Sequence, residues 1–331
     1  MTQTNRQWLL ANRPQGMVSS DNFELAERPL EPLADGDARA RMHYLTFEPA
    51  MRGWMDDVES YMPPVPLGEP MRAPGLAIVE ESKHPSYAPG DVVFGMMSWS
   101  EYVHQHDGWS KVPEGVDYEL ILGPCGGTGL TAYFGLLDVG QPKEGETVVV
   151  SGAAGATGSV AAQIARIKGC RVIGIAGGED KCRWLTEEAR LDAVIDYKSE
   201  KISARLGELC PDGVDVFFDN VGGSTLEAVL NNMAMDARIV ICGMISGYND
   251  AEPQPGPRNL FQVIVKRATI RGFLVFDYMD RRDEALADIF SWIAAGEIAS
   301  RSDVQEGFEN IPATFLRLFT GANQGKQLLR L

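Results

Sequence analysis

Between Thr147 and Val160 the chain passes from an apolar run, Thr147-Val148-Val149-Val150, through Ser151-Gly152-Ala153-Ala154-Gly155-Ala156-Thr157-Gly158, into a helical pattern, Ser159 to Lys168. Successive β-branched residues without polar alternation suit a strand covered on both faces. The small residues after it form a turn whose backbone can be approached closely. The helix they open presents unpaired N–H groups and the positive end of its dipole. Larger side chains there would hold a pyrophosphate away from these donors, so Gly and Ala are needed. The spacing is Gly152-x-x-Gly155-x-x-Gly158 rather than G-x-G-x-x-G, and Gly158 is expected to let the helix pack close to the strand. Glycines alone say little. Placed after a strand, before a helix and ahead of a second apolar strand, they predict a dinucleotide-binding turn.

The surrounding sequence supports that context. Strands are expected at Thr147–Val150, Arg171–Ile175, Ala193–Ile195, Val214–Phe218, Arg238–Ile241 and Thr269–Val275, with helices at Ser159–Lys168, Asp180–Ala189 and Thr225–Met235. Such alternation implies a right-handed doubly wound parallel sheet, an α/β Rossmann unit. Before it, the region from Gln7 to about Leu122 is rich in Pro and Gly. It carries short strand-like runs (Gly75–Glu80, Asp91–Gly95, Ser100–Val103) and reads as a compact β domain. After Arg301 a helix, Ile311–Phe319, and an apolar end, Gln327-Leu328-Leu329, form a tail expected to return to the first domain. The boundaries drawn are 1–124 with 301–331 for one domain and 125–300 for the other.

An acid about 20 residues past the glycine turn would bind the ribose 2′-hydroxyl of NAD. Here the second strand ends Ile175-Ala176-Gly177-Gly178, without a carboxylate at its tip, and Lys181 follows. A missing anion beside a cation favours a 2′-phosphate, hence NADPH. Glu179 and Asp180 read as acids in a first helical turn. The formal charge is -16, from 30 basic and 46 acidic residues. So acidic a chain repels polyphosphate backbones, which argues against nucleic acid as a partner. The apolar stretch Trp8-Leu9-Leu10 is too short for the core of a signal peptide, and no run of about 18 apolar residues suggests a membrane span. Five scattered cysteines (Cys125, Cys170, Cys182, Cys210, Cys242) read as reduced thiols of a cytoplasmic protein.

Five ordered segments carry a family resemblance over nearly the whole chain. They are Leu130–Leu137, Gly152–Lys168, Phe218-Asp219-Asn220-Val221-Gly222-Gly223, Cys242-Gly243-Met244-Ile245-Ser246, and Glu306-Gly307-Phe308-Glu309-Asn310-Ile311-Pro312. Together they resemble the prostaglandin reductase/leukotriene B4 12-hydroxydehydrogenase branch of the medium-chain dehydrogenases/reductases. Plant alkenal double-bond reductases and bacterial curcumin reductases share that branch. The resemblance implies a GroES-like β-barrel domain joined to a Rossmann domain, an active site in the cleft between them, and a homodimer formed through the Rossmann sheets, with Thr269–Val275 as the edge strand. It also implies NADPH contacts at matching positions. Gly152, Ala153, Gly155, Ala156, Thr157 and Gly158 make the pyrophosphate turn. Gly178, Lys181 and Tyr197 lie about the 2′-phosphate. Asn220, Cys242, Gly243, Met244, Ile245, Ser246, Tyr248, Phe273, Leu274, Val275 and Asn323 lie on the ribose and nicotinamide side. Where this chain has Gly178 the family often has Ser, so one phosphate hydroxyl is missing.

Zinc-dependent relatives use a Gly-His-Glu segment. The corresponding stretch, Gly68-Glu69-Pro70-Met71-Arg72-Ala73-Pro74-Gly75, has no His, and the cysteine spacing fits no tetrahedral site. His104-x-His106 would share one strand face; it reads as a polar strand end rather than a metal site. No metal is expected, which argues against alcohol dehydrogenation. The activity implied is NADPH-dependent reduction of the C=C bond of an α,β-unsaturated ketone or aldehyde. Tyr248 would donate to the enolate oxygen, with Tyr61, in Ser60-Tyr61-Met62-Pro63-Pro64-Val65, as a second candidate. Many relatives read Asp-Pro-Tyr-Met-Arg where this chain has Glu48-Pro49-Ala50-Met51-Arg52. Loss of that phenol enlarges the pocket, with Trp54 either lining it or lying in the core. A quinone reductase, a non-catalytic NADPH-binding sensor and a zinc alcohol dehydrogenase stay open as alternatives.

Overall fold

A computed structural model describes residues 4–252 and 255–331. Residues 1–3 of the N-terminal stretch and of the first domain as drawn above lie outside that range. The chain divides into two compact units. One comprises Met1–Leu122, Asn249–Ala251 and Ser302–Leu331, the other Gly123–Tyr248 and Glu252–Arg301.

The first unit begins with a hairpin-like pair, β1 (Thr4–Leu10) and β2 (Phe23–Pro29), antiparallel throughout. There follow β3 (Ala38–Thr46), β4 (Arg72–Ser82), β5 (Val92–Ser98), β6 (Tyr102–Gln105), the short β7 (Ser110–Lys111) and helix α1 (Tyr118–Leu122). His104 lies on β6, but His106 lies past its end, where its Nδ1 is 3.0 Å from Asp37 Oδ1; the two histidines therefore do not share a strand face. Aromatic residues fill the core. Trp99 is fully buried, and its ring centroid lies 5.0 Å from that of Phe23 and 5.8 Å from that of Phe47.

The second unit alternates strand and helix. Helix α2 (Gly127–Phe134) leads into β8 (Thr147–Ser151), α3 (Ala156–Ile167), β9 (Arg171–Ala176), α4 (Glu179–Glu187), β10 (Ala193–Asp196), α5 (Ile202–Leu209), β11 (Val214–Asp219), α6 (Gly223–Leu230) and β12 (Met233–Ile241). Helix α7 (Phe261–Lys266), β13 (Thr269–Gly272) and α8 (Arg282–Ala294) complete it. The six strands form one parallel sheet in the order β10-β9-β8-β11-β12-β13. This is the doubly wound arrangement, with the order reversing between β8 and β11, where ligands bind in such sheets. Val148, Val149, Val150 and Val172 are fully buried, as strands covered on both faces require.

Two expected elements are shorter than the apolar pattern suggests. The helix expected to reach Met235 stops at Leu230. Asn232 gives its carbonyl to the Val214 N–H at 2.9 Å and its side-chain amide to the Ala228 carbonyl at 2.8 Å, and Met233 then opens β12. The edge strand expected to reach Val275 stops at Gly272, and Val275–Arg281 coils into a 3-10 turn. Phe273 leaves the strand line because its ring packs against Gly135, where an added Cβ would lie 2.8 Å from Phe273 Cε1.

The tail belongs to the first unit. It carries β14 (Ser302–Glu306), α9 (Ile311–Thr320) and β15 (Lys326–Arg330), which complete a mixed seven-stranded sheet, β14-β15-β3-β4-β5-β7, with β6 also paired to β3. Phe315 of α9 is fully buried, its ring centroid 5.6 Å from that of Trp99.

Candidate cofactor site

The turn after β8 is built from short backbone contacts. Gly155 donates its N–H to the Gly152 carbonyl at 2.9 Å, and Ala153 to the Ile175 carbonyl of β9 at 3.0 Å. Gly155 caps α3 with extended backbone (φ -83°, ψ 172°) and no side-chain hydrogen bond, so the cap occupies none of the first-turn amides. An added Cβ at Gly158 would run into the Gly152 carbonyl oxygen and lie 2.9 Å from its carbon and 3.1 Å from Ala153 Cα. Gly158 thus lets the helix pack against the turn itself, rather than against the strand as expected from sequence. Ala153 and Gly158 are buried; Gly152, Gly155, Ala156 and Thr157 are half-buried around the opening. A cradle of small residues at an uncapped twelve-residue helix start fits a pyrophosphate.

One strand over, the tips of β9 and β10 form a second corner. Asp196 Oδ1 accepts the Gly178 N–H at 2.9 Å and the Lys198 N–H at 3.0 Å. The Gly178 bond, the largest cause, holds the Asp196 carboxyl below the usual carboxylate range. Tyr197 folds over Gly177, where an added Cβ would fall 2.6 Å from ring atoms Cε1 and Cζ and 2.7 Å from Oη. Lys181 stands in the first turn of α4. Lys181, Tyr197 and Gly178 therefore come from neighbouring elements at one edge of the sheet.

At the switch point itself the structure reveals two residues that sequence reasoning missed. Ser151 and Asp219 end the adjacent strands β8 and β11, and both are fully buried. Ser151 Oγ donates to Asp219 Oδ1 at 2.7 Å and accepts the Asn220 N–H at 2.8 Å. Asp219 Oδ1 also accepts the N–H groups of Val221 at 2.9 Å and Gly222 at 3.0 Å. Burial pushes the Asp219 carboxyl above its ordinary range, against the pull of these donors. Asn220 turns its side-chain amide onto the Ser151 carbonyl at 2.7 Å. The available signal was an acid closing an apolar strand, followed by Asn220-Val221-Gly222-Gly223, with a Ser closing the neighbouring strand.

The loop after β12 is laced to this corner. Cys242 and Gly243 donate their N–H groups to the Asp219 carbonyl at 2.9 and 3.0 Å, Ile245 to the Asn220 carbonyl at 3.3 Å, and Ser246 to the Val221 carbonyl at 3.1 Å. Tyr248 folds back so that its Oη accepts the Met244 N–H at 3.1 Å. Burial, the largest cause, pushes the Cys242 thiol up to about 12. Gly152, Asn220 and the segment Cys242–Tyr248 are thus brought together; an added Cβ at Gly152 would lie 3.5 Å from Asn220 Cβ. Phe273, Leu274 and Val275 follow the edge strand, with Phe273 half-buried. Tyr61 and Asn323 belong to the other unit. There Asn323 Nδ2 donates to the Gly325 carbonyl at 2.9 Å. Burial, the largest cause, and then the Glu48 charge raise the Tyr61 pKa, with Trp54 acting against them. Trp54 is 5% exposed and belongs to the core.

A parallel sheet in this order, with a turn of small residues opening a helix at its switch point, defines a Rossmann-type unit suited to a dinucleotide. Residues 6–112 match the family described as N-terminal domain of oxidoreductase, and residues 156–292 the family described as zinc-binding dehydrogenase. Among the described residues no group of three or more His, Cys, Asp or Glu is arranged to hold a metal ion. The NADPH-dependent curcumin reductase of Escherichia coli is 40% identical, covering 99% of this chain and 97% of that protein. Prostaglandin reductase 1 of Bos taurus is 38% identical, covering 98% of each. The NADP(+)-dependent 2-alkenal reductase of Nicotiana tabacum is 37% identical, covering 98% and 97%. The crystal structure of CurA from Vibrio vulnificus in complex with NADPH superposes with a TM-score of 0.94 at 39% identity over 98% of each chain. The chain belongs to the NADPH-dependent oxidoreductases of the medium-chain dehydrogenase/reductase family, in the branch of the curcumin, prostaglandin and alkenal reductases.

Proposed function

We propose that the chain reduces the C=C bond of α,β-unsaturated ketones or aldehydes. The observation that carries this reading is the assembly of the glycine turn and the anchored Tyr248 at the carboxyl ends of the parallel strands. The names of the curcumin and alkenal reductases motivate the substrate class. The residues proposed to hold NADPH are the turn Gly152–Gly158, Lys181 and Tyr197 at the 2′-phosphate, and Asn220, Cys242–Tyr248, Phe273–Val275 and Asn323 toward the nicotinamide. Bound there, NADPH supplies a hydride to the β-carbon of the substrate. Electron density then moves to the carbonyl oxygen, and a donor already aimed at that oxygen lowers the barrier. Tyr248 suits that role because the Met244 N–H given to its oxygen polarises its own O–H. Tyr61, with its raised pKa, stays protonated at neutral pH as a second donor. A tyrosine or solvent then delivers the proton to the α-carbon.

The test is NADPH oxidation with an enone and, separately, with a quinone. Turnover of quinones alone would overturn the double-bond reading in favour of a quinone reductase. No turnover with either would point to a binding protein. Tyr248→Phe is expected to lower enone kcat by about 10²-fold while the Kd for NADPH stays within about twofold, as for loss of one preorganised donor.

The same reading assigns substrate binding to the first unit and NADPH, Asn323 apart, to the second, in a cytoplasmic enzyme. It also pairs two copies along β13, all four residues of which are exposed, with exposed Phe261, Ile264 and Phe276 nearby in sequence. Sedimentation at micromolar concentration should give twice the chain mass, and a monomer would refute the pairing. Among the described residues no helix is long and apolar enough to cross a membrane.

A further inference from the structure

We infer that Ser151 and Asp219 are positioning residues: the hydroxyl–carboxyl pair at the ends of β8 and β11 fixes the two loops that carry the nicotinamide-side groups. The inference deepens the proposed function, resting on its assignment of Asn220 and Tyr248.

A carboxyl buried this completely has a strong alternative in its protonated form, no cation offsets its charge, and its second oxygen, Oδ2, is buried without a hydrogen-bond partner among the described residues. Fold stability alone is a poor reason to keep it there, since burying a charge without a counter-charge is costly. What Asp219 does do is act on loops. One carboxyl oxygen gathers a hydroxyl and two backbone N–H groups, which fixes residues 219–222 as a tight turn. The carbonyl of the same residue accepts two N–H groups from the loop after β12. Val221 extends the tie, since its carbonyl accepts Ser246 Oγ at 2.6 Å as well as the Ser246 N–H. Ser151 supplies the third link, because its hydroxyl and carbonyl hold both the backbone and the side chain of Asn220. The pair thereby joins the end of the phosphate-turn strand to Asn220 and to the loop bearing Tyr248. The corner at Lys181 and Tyr197 is independent of it and is organised by Asp196.

The test uses Ser151→Ala, which adds no volume, with Asp219→Asn and Asp219→Ala, all as full chains. Amide hydrogen exchange is measured on the protein without added nucleotide, so one readout does not depend on activity. Exchange in 219–223 and 242–248 should rise by about tenfold or more in Ser151→Ala, which loses two hydrogen bonds, and further in Asp219→Ala, which loses three, while Gly178 and Tyr197 keep their protection. Single-turnover hydride transfer to an enone should slow about 10²-fold in both, the cost of a small misplacement, with NADPH Kd changed less than about threefold. Asp219→Asn keeps an oxygen that can accept the same three bonds and should restore both loop protection and rate. Uniformly raised exchange across the sheet, or unchanged exchange in both loops, would overturn the inference. So would an Asp219→Asn enzyme with protected loops and the slow rate of Asp219→Ala, since charge rather than positioning would then be at work. If the unsubstituted enzyme turns over no enone, the proposed function fails while the exchange result still decides the positioning.

Discussion

Gly177→Ala separates cofactor choice from fold stability in one substitution. The new methyl would lie 2.6 Å from two ring atoms of Tyr197, whereas carbon atoms in contact sit about 3.5–4.0 Å apart, so the ring must retreat by about 1 Å. Tyr197 is 52% exposed and can swing into solvent without opening a cavity. Replacing Gly by Ala where φ is not positive also removes unfolded-state entropy worth about 0.4–1 kcal/mol, so the melting temperature should move by less than about 2 °C. Affinity should respond very differently. If the Tyr197 phenol donates to the 2′-phosphate, its displacement loses a hydrogen bond to a charged group, about 1.5–3 kcal/mol, which raises the NADPH Kd roughly 10- to 150-fold. NADH has no 2′-phosphate, so its Kd should stay within about twofold. Titration calorimetry with each nucleotide, beside a thermal scan, reads all three quantities. NADPH affinity within threefold of the unsubstituted protein would refute the placement of the phosphate at Tyr197. Equal losses for both nucleotides would show that the methyl acts through the fold.

Two further substitutions probe the switch point. Gly158→Ala drives a methyl into the Gly152 carbonyl, which is backbone and cannot rotate away; NADPH and NADH binding should both be lost in calorimetry, with stability lowered by about 1–3 kcal/mol in denaturant melts, and retained binding would refute the cradle. Asp219→Asn should gain stability relative to the unsubstituted protein as pH rises. Burial raises the folded pKa of Asp219 above that of an exposed carboxyl, so its favourable contribution is complete below the unfolded pKa and is lost as pH climbs through the folded pKa. Denaturant midpoints of the two proteins compared at pH 4 and pH 8 check this, and a constant difference would refute it.

Much of the second unit was legible in the sequence because parallel strands leave a strong mark. Val148 to Val150, Val172 to Ile175 and Val216 to Phe218 are apolar on both faces, and the observed strands cover all three. The misreadings share one cause: apolar residues can serve a neighbour other than the element they continue. Met233 and Met235 extend the period of α6, yet the two asparagines before them end the helix and Met233 pairs with Val214. Phe273 extends β13 on paper but fills the space left by Gly135. The glycine turn was legible because its chemistry is local. The Ser151–Asp219 pair was not, because it joins residues 68 apart whose adjacency only the strand order reveals.

Gly178 shows how a family departure can be conformational before it is chemical. The residue caps α4 at φ 96° and ψ 148°, a region open to glycine and costly for any residue with a Cβ. Serine could not occupy that backbone without strain, so the missing hydroxyl follows from the turn this chain adopts. Nor is the amide of Gly178 available in exchange, since it is already given to Asp196. Position 178 therefore contributes neither of the donors that a phosphate would seek, and a carboxylate stands close behind it. Within the proposed site, discrimination of the 2′-phosphate then falls on Lys181 and Tyr197, in a chain whose net charge of -16 repels the ligand as a whole. Selectivity that rests on two side chains should be easier to remove than selectivity shared with backbone amides. That is why a single methyl at Gly177, whose three nearest neighbours are all atoms of Tyr197, can be expected to reach it.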